Sequence, residues 1–180
     1  MTPVIETERL ALRRATLADA PFLLDLWNQP SYIQHIRDWG ARTVAQAEAL
    51  LQERILASYR LNGFGQFVVT LKAGGAPIGL CGLIRRAGLE DVDVGYAFLP
   101  QHWGNGYALE AAQACVRYGL TTLGLRRVVA IVSPGNERSI RLLEKLGLRY
   151  EKTITLPGID EALKLFTPPG APVAGDAPAT

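Results

Sequence analysis

The stretch Leu99-Pro100-Gln101-His102-Trp103-Gly104-Asn105-Gly106-Tyr107-Ala108 joins a predicted strand to a predicted helix. The strand, residues 92–99, alternates its side chains and ends at Pro100, and the alanine-rich residues 105–123 are typical of a helix. The first residues of a helix carry unpaired N–H groups and a partial positive charge. Because glycines let a phosphate approach the backbone closely, the stretch predicts a site for a phosphate or a pyrophosphate.

Two common phosphate-binding motifs do not fit this stretch. A P-loop that started at Gly104 would need Gly and Lys at the positions of Leu109 and Glu110. A dinucleotide fingerprint would need a third Gly or Ala where Leu109 stands. Since Gly-x-Gly alone is a weak signal, a glycine-capped connection that binds nothing is the competing interpretation of the loop.

The rest of the chain alternates short strands with helices, which indicates one α/β domain with a mixed sheet. Predicted strands cover residues 10–14, 65–72, 77–86, 92–99, 127–133, 148–155 and 161–166. Predicted helices start at Thr16 and Thr43, cover residues 105–123, and run from Asn136 to Leu146, while Pro30 marks the end of the first. Residues 31–42 show no clean period and are interpreted as a loop or a short irregular helix.

Composition excludes several classes of protein. The 180 residues fit a single domain, predicted over residues 1–166, with a flexible Pro/Gly/Ala-rich tail at 167–180. A net charge of +2 is too small for bulk nucleic-acid binding. No apolar run is long enough to span a membrane, and the N-terminus lacks the features of a signal peptide, so we expect a cytoplasmic protein.

The two cysteines and the scattered histidines do not form a recognisable metal site. Cys81 and Cys115 lie in apolar segments without a second ligand nearby, so we expect buried free thiols and no bound metal. Cys115 stands among alanines in the middle of a predicted helix and is a poor nucleophile candidate.

Three segments together resemble the GNAT superfamily of N-acetyltransferases. Gln101-x-x-Gly104-x-Gly106 is similar to its Gln/Arg-x-x-Gly-x-Gly/Ala signature, and the segment from Asn136 to Gly147 resembles its second cofactor motif. The opening Glu6-Thr7-Glu8-Arg9-Leu10-x-Leu12-Arg13 resembles the branch that contains the RimJ and RimL ribosomal-protein acetyltransferases. The resemblance implies the GNAT fold, an α/β domain with a central twisted mixed sheet of six to seven strands flanked by about four helices.

The resemblance also implies acetyl-CoA as co-substrate, with no metal, and a set of residues that bind it. Loop amides hold the pyrophosphate, a bulged strand before the loop binds the pantetheine, and the second helix contacts its far end. The implied binding residues are Ala97, Phe98, Leu99, Gln101, Trp103, Gly104, Asn105, Gly106, Tyr107, Ala108, Asn136 and Ser139. One strand amide would also polarise the thioester carbonyl.

Acetyl transfer to an amine needs a neutral amine and a stabilised leaving thiolate. Strand alternation places Asp91 and Asp93 on one face and Tyr96 on the other. We take Asp93, acting through water, as the candidate base. A solvated carboxylate near a turn is the competing interpretation of Asp93. Many family members carry a tyrosine where this chain has Leu143, so Ser139, or a water that it holds, is the candidate acid.

The acceptor is a primary amine, on a protein N-terminus or a small molecule, and we expect direct transfer in a ternary complex. In the resembling fold residues 31–42 cover the acceptor site, and we expect them to form its walls together with residues 156–160. This makes His35 and Trp39 candidate substrate-binding residues. A non-catalytic acyl-CoA-binding module and a small-molecule detoxifying enzyme are the alternatives. We expect no nucleic-acid or membrane partner, and two copies pairing through the C-terminal strands would form a homodimer.

Overall fold

The sheet is mixed and has eight strands in a computed structural model that describes residues 2–170. Its spatial order is β1-β2-β3-β4-β5-β6-β8-β7. The strands are β1 (Ile5–Glu6), β2 (Leu10–Arg13), β3 (Gln66–Leu71), β4 (Pro77–Ile84), β5 (Val92–Phe98), β6 (Val128–Val132), β7 (Arg149–Leu156) and β8 (Ile159–Thr167). Among the strands of this described part, only β5 and β6 pair in parallel. The predicted α/β class is confirmed, and the strand beyond the expected six to seven is β1, whose two residues are too short for a periodic signal.

Helices cover both faces of the sheet. They are α1 (Ala20–Trp27), α2 (Pro30–His35), α3 (Val44–Leu50), α4 (Ala57–Asn62), α5 (Tyr107–Thr121) and α6 (Glu137–Lys145). A π-helical stretch, Leu51–Leu56, joins α3 to α4 without a break, so residues 2–170 contain five α-helical segments rather than about four. The additional segment is α2, which begins at Pro30. Proline suits this position because the first residue of a helix needs no amide donor.

Local capping occurs at both predicted helix starts, at Thr43 before α3 and at Thr16, where a 3₁₀ turn (Leu17–Asp19) leads into α1. Gln46 accepts a hydrogen bond from the Thr43 amide at 3.1 Å, and the Thr43 hydroxyl accepts one from the Gln46 amide at 3.3 Å. The Asp19 carboxylate accepts a hydrogen bond from the Thr16 amide at 2.8 Å and also forms a salt bridge with Arg13 at 2.6 Å. These side chains satisfy amides that a helix leaves unpaired at its start.

The core lies between the helices and the sheet. Leu10 and Leu12 of β2 are buried. All residues of β6 except Ile131 are also buried, as expected for a strand that is covered on both faces. Cys81 on β4 and Cys115 on α5 are buried free thiols, which confirms the prediction. Burial and the neighbouring Cys115 raise the pKa of the Cys81 thiol, so it is protonated at neutral pH and is a poor nucleophile.

The C-terminal boundary differs slightly from the predicted one. β8 continues to Thr167, which is buried and pairs with Arg149, so the strand includes the first residue of the predicted tail. Residues 171–180 of that tail lie outside the part of the chain that the structure describes. None of the helices in residues 2–170 is both long and apolar enough to cross a membrane.

Candidate functional site

The connection between β5 and α5 presents a row of backbone amides without acceptors. Gly104 and Gly106 have φ values of 80° and 78°, which favour glycine, and Gly106 is the residue that precedes the helix. The amides of residues 104–108 donate to no group in the described part of the chain. Since residues 103–106 are exposed, these donors are available to an anion at the start of a 15-residue helix.

The N-terminal segment holds this loop in place. Arg9 donates to the Asn105 carbonyl at 2.9 Å, lies 4.7 Å from the ring centre of Tyr107 and pairs with Glu110 at 2.6 Å. Thr7 donates to Glu110 at 2.5 Å. Because the Asn105 carbonyl is bound on the Arg9 side, the amide of the same peptide group points the opposite way. Arg9 is therefore a positioning residue for the loop.

Other loop residues lie on the side that faces α6. The Trp103 indole donates to the Phe98 carbonyl at 2.8 Å, and the Arg138 guanidinium lies 4.2 Å from the Trp103 ring centre. Gln101 is exposed and His102 is half-buried. Trp103 therefore connects the loop to the first turn of α6.

The sheet opens directly beside this loop. β5 and β6 pair only through Val92 with Val128 and Asp93 with Val129. Beyond Asp93 the strands separate, and β6 pairs on its other side with β8. The part of β5 from Val94 to Phe98 therefore has a free edge, and the opening passes from one face of the sheet to the other.

Strand register shows which backbone groups line the opening. The pairing of β4 with β5 has no register shift, so the expected bulge is absent and strand separation provides the free edge instead. Leu99 donates to the Ile78 carbonyl at 3.0 Å, so alternation directs the backbone of Ala97 and Leu99 toward β4. The N–H groups of Tyr96 and Phe98 face the opening. These two amides are placed to pair with an extended ligand in the way that an added strand would.

The side chain of Tyr96 points from β5 toward α6. Its hydroxyl lies 2.7 Å from the Ser139 hydroxyl, and the Asn136 side chain accepts the Ser139 amide at 3.1 Å. Burial raises the pKa of Tyr96, so its phenol is neutral at physiological pH. Leu143, one turn along α6, is buried in the core. The structure thus brings Ser139 and Asn136 together with a hydroxyl that sequence analysis had placed only on the strand face.

Asp93 points to the other face of β5 and is buried rather than solvated. It is 1% exposed and accepts a hydrogen bond from the Arg86 Nε at 2.9 Å. Burial raises the pKa of its carboxyl group, while Arg86 acts in the opposite direction. Asp91, predicted on the same face, instead pairs with Arg127 at 2.6 Å near the start of β6.

The predicted acceptor-site residues lie on the Asp93 side of the sheet. Trp39 donates to the Tyr32 hydroxyl at 3.1 Å, and the guanidinium groups of Arg54 and Arg37 lie 4.0 Å and 5.0 Å from its ring centre. Arg37 also donates to the Gly158 carbonyl, in the turn between β7 and β8. The 36–42 connection and the β7–β8 turn therefore meet, as the predicted walls of an acceptor cleft would.

His35 is the C-terminal residue of α2, beside the end of β6. Its carbonyl accepts a hydrogen bond from the Ser133 hydroxyl at 3.3 Å. Ser133 also lies 2.6 Å from the carboxylate of Glu161 on β8. These contacts hold α2 against the sheet, and the half-buried His35 lies at this junction.

Tyr32 links the two groups of residues on this face. Burial raises the pKa of Tyr32, and the Trp39 hydrogen bond and the charges of Arg86 and Arg54 act in the opposite direction. The charges of Arg86, which holds Asp93, and of Arg54, which lies over Trp39, therefore both act on the Tyr32 hydroxyl. This role of Arg86 is not predictable from the sequence, because a single arginine after a strand cannot be told from a solvated one.

Comparisons of sequence show what the chain resembles. The model of the acetyltransferase (GNAT) domain matches residues 9–149. "Uncharacterized N-acetyltransferase p20" of Bacillus licheniformis is 34% identical over 148 residues, which cover 81% of this chain and 82% of that protein. "Uncharacterized protein YkkB" of Bacillus subtilis (strain 168) is 40% identical over 95 residues, and this match spans 51% of this chain and 55% of YkkB.

Solved structures share the architecture. An acetyltransferase from Agrobacterium tumefaciens str. C58 superposes with a TM-score of 0.76 at 25% identity, covering 92% of this chain and 94% of that one. The spermidine N-acetyltransferase of Vibrio cholerae, solved in complex with CoA and spermine, gives a TM-score of 0.73 at 21% identity. That match covers 89% of this chain and 95% of the Vibrio protein, and at this identity it supports the fold alone.

The domain match spans the loop, the opening beside β5 and both helices that border it. The relative from Bacillus licheniformis aligns over four fifths of the chain and bears the name of an N-acetyltransferase. This chain therefore belongs to the GNAT acetyltransferase family and is an N-acetyltransferase.

Proposed function

We propose that the protein transfers the acetyl group of acetyl-CoA directly to a primary amine within a ternary complex. The observation that carries this proposal is the free edge of β5, which leads from unpaired loop amides on one side to Asp93 on the other. Direct transfer is supported by the burial of Cys81 and Cys115, since neither thiol is accessible as an acyl carrier.

The chain fits coenzyme A along this path. The amides of residues 104–108 suit a pyrophosphate, and those of Tyr96 and Phe98 suit the amide groups of pantetheine. Asn136 and Ser139 lie at the first turn of α6, on the same side of the sheet. When bound, acetyl-CoA supplies the acetyl group as a thioester, and a strand amide at the opening would stabilise negative charge on its carbonyl oxygen.

Asp93 and Ser139 are the proposed proton-handling residues. The two lie on opposite sides of the opening. Asp93 and Tyr96 are three residues apart on β5, so their side chains point to opposite faces of the sheet, and Tyr96 is the residue that contacts Ser139. The buried Asp93 carboxylate would accept the amine proton through water, and its hydrogen bond from Arg86 holds it in position. The Ser139 hydroxyl would donate a hydrogen bond toward the departing sulfur, supported by the neutral Tyr96 phenol.

Removing either hydroxyl of the Tyr96–Ser139 pair should slow the reaction. A hydrogen bond to a charged group contributes about 1.5–3 kcal/mol, so Ser139→Ala should lower kcat about 10- to 100-fold. Alanine preserves the helix cap, because Asn136 binds the backbone amide of Ser139. Tyr96→Phe should lower kcat by a smaller factor. In the double variant the reduction in kcat should be smaller than the product of the two single reductions, since the hydroxyls act together.

Steady-state kinetics at saturating acceptor, combined with calorimetry of CoA binding, checks this prediction. The CoA affinity should change little in Tyr96→Phe, because its backbone amide is retained. An unchanged kcat in Ser139→Ala would remove that hydroxyl from the mechanism.

The acceptor is the open part of the proposal. The segment from Glu6 to Arg13 supports the RimJ and RimL branch and hence a protein N-terminus, while a small-molecule amine, as in a detoxifying enzyme, is the second candidate. His35 and Trp39 are proposed to contact it, since both lie on the Asp93 side of the opening. A cytoplasmic location and a homodimer formed through the C-terminal strands remain predictions. Pairing of two copies is supported by the edge position of β7 and the exposed Tyr150.

Thiol release from acetyl-CoA across peptides, amino acids and polyamines tests the function. We expect turnover with at least one primary amine and heat of binding with CoA alone. A protein that binds CoA but acetylates no amine in the panel would be the non-catalytic module. Absence of any heat with CoA would overturn the proposal altogether.

A further inference from the structure

Trp39 and two arginines form a cationic surface on the acceptor side of the opening. The guanidinium groups of Arg54 and Arg37 lie over the Trp39 ring, at 4.0 Å and 5.0 Å from its centre. Its indole N–H is fixed by Tyr32. We call these three residues, Arg37, Trp39 and Arg54, the arginine–tryptophan cluster. Stacking on a ring occupies the flat face of a guanidinium and leaves its N–H groups, which lie in the plane, free to bind.

The charges of this cluster are poorly compensated. No carboxylate in residues 2–170 lies within ion-pair distance of Arg37, whose hydrogen bond goes to the Gly158 carbonyl. Arg54 has only the adjacent Glu53 at 3.8 Å, and both side chains are exposed to solvent. The acidic Asp38 of the same connection is paired with Arg42 at 2.7 Å. The cluster therefore presents net positive charge to the cleft.

Two further features connect this charge to the acceptor. Arg54 lies in the π-helical stretch Leu51–Leu56, and π-helical turns occur frequently at functional sites. The Tyr32 hydroxyl accepts a hydrogen bond from Trp39 of the cluster at 3.1 Å, and the charge of Arg86, which holds the candidate base, also acts on this hydroxyl. Glu161, the carboxylate near His35, is hydrogen-bonded to Ser133 at the end of β6. A molecule whose amine reaches Asp93 would extend past Tyr32 toward the arginines.

We propose that the acceptor carries an anionic group, a carboxylate or a phosphate, which binds Arg37 and Arg54 while its primary amine is acetylated. This inference rests on the proposed function and narrows its substrate class. Arginine binds carboxylate and phosphate with two parallel hydrogen bonds, whereas a second ammonium group would be repelled there. Polyamines are therefore poor acceptors of this protein, although its fold matches that of a spermidine N-acetyltransferase.

The test compares acceptors in matched pairs. Each pair shares the amine and differs in charge: 4-aminobutyrate with 4-aminobutanamide, 3-aminopropyl phosphate with 3-aminopropanol, and the peptide Ser-Glu-Glu with Ser-Gln-Gln, the peptides amidated at the C-terminus. Spermidine is the polycation. We expect kcat/KM for the anionic member of at least one pair to exceed that of its neutral partner about 10-fold or more, because hydrogen bonds to a charged group are lost in the partner. The pair that responds identifies the carboxylate, phosphate or peptide source.

Variants locate the effect on the cluster. Arg54→Gln and Arg37→Gln should each lower the anionic-to-neutral ratio of kcat/KM toward one, by reducing kcat/KM mainly for the anionic acceptor. Arg60→Gln is the matched control, since Arg60 lies on the same helical segment and stacks on no ring in the described residues. A ratio near one in every pair, a preference for spermidine, or a ratio that survives in both variants would overturn the proposal.

Calorimetry separates this inference from the proposed function. Titrating the same acceptors into the CoA-saturated protein measures acceptor binding without turnover. If no amine is acetylated but anionic members still bind more tightly through Arg37 and Arg54, the proposed function fails and the anion site stands. If amines are acetylated without any such preference in binding or in kcat/KM, the anion site fails and the function stands.

Discussion

Replacing Gly106 by valine is expected to weaken coenzyme A binding about 100-fold or more, through the loss of charge-assisted hydrogen bonds from two loop amides. Gly106 has a φ of 78°, a value that a β-branched residue adopts only under strain. A Cβ atom at this position would also lie 3.4 Å from the Arg9 guanidinium that holds the loop. The loop must therefore change its backbone conformation, and its amides no longer converge on a phosphate.

The control must carry the same strain away from the site. Gly124→Val provides it, because Gly124 has a φ of 68° in the exposed connection between α5 and β6, with nothing within 4 Å of its Cβ position. Each substitution should cost about 1–2 kcal/mol of stability, since a left-handed conformation is unfavourable for residues other than glycine. The two variants should therefore have similar Tm values, and calorimetry should show weakened CoA binding in Gly106→Val alone. Equal CoA affinity in Gly106→Val and in the wild type would remove the loop from coenzyme binding.

Replacing Asp93 by asparagine is expected to lower kcat about 100-fold, the lower end of the range for loss of a general base. Asparagine has nearly the same shape and can still accept the hydrogen bond from Arg86, so the local packing is retained. Burial raises the pKa of Asp93 in the folded protein above its value in the unfolded chain. Ionisation of Asp93 as the pH rises therefore lowers the free energy of unfolding. The neutral asparagine should therefore fold at least as well as the wild type at neutral pH.

The pH profile distinguishes a base from a positioning residue. In the wild type, activity should rise with pH as Asp93 loses its proton, at a pH above the ordinary range of an aspartate because of its burial. In Asp93→Asn this limb should disappear, leaving only the rise from neutralisation of the free amine, near pH ~7.7–8.0 for an α-amino group and ~10.4 for lysine. A lower rate with the wild-type limb intact would assign Asp93 to holding Arg86.

Asp91→Asn is the matched control for this variant. Asp91 lies two positions before Asp93 on the chain and is paired with Arg127 at 2.6 Å, close to where β5 and β6 still pair. Its removal should affect stability slightly and leave both kcat and the pH profile unchanged. Kinetics of Asp93→Asn that match those of Asp91→Asn would exclude Asp93 from proton transfer.

Several parts of the fold were predictable because they depend on neighbours in the chain. Alternation along residues 92–99 placed Asp93 on one face and Tyr96 on the other, and the structure confirms that arrangement. The capping pair of Thr43 and Gln46 likewise needs only three residues of separation. The helix α2 was harder to predict because six residues give less than two turns of apolar period.

The amino-acid sequence by itself determined the α/β class, the glycine loop before α5, the alternation of β5 and the absence of a tyrosine where Leu143 stands. Only the tertiary structure decided that β5 separates from β6 after Asp93, that Arg86 holds Asp93 and that Arg37 and Arg54 meet on Trp39. The physical reason is the range of the interactions. Backbone preferences and side-chain periodicity act within a few residues, whereas these contacts join segments that become neighbours only when the whole sheet has assembled.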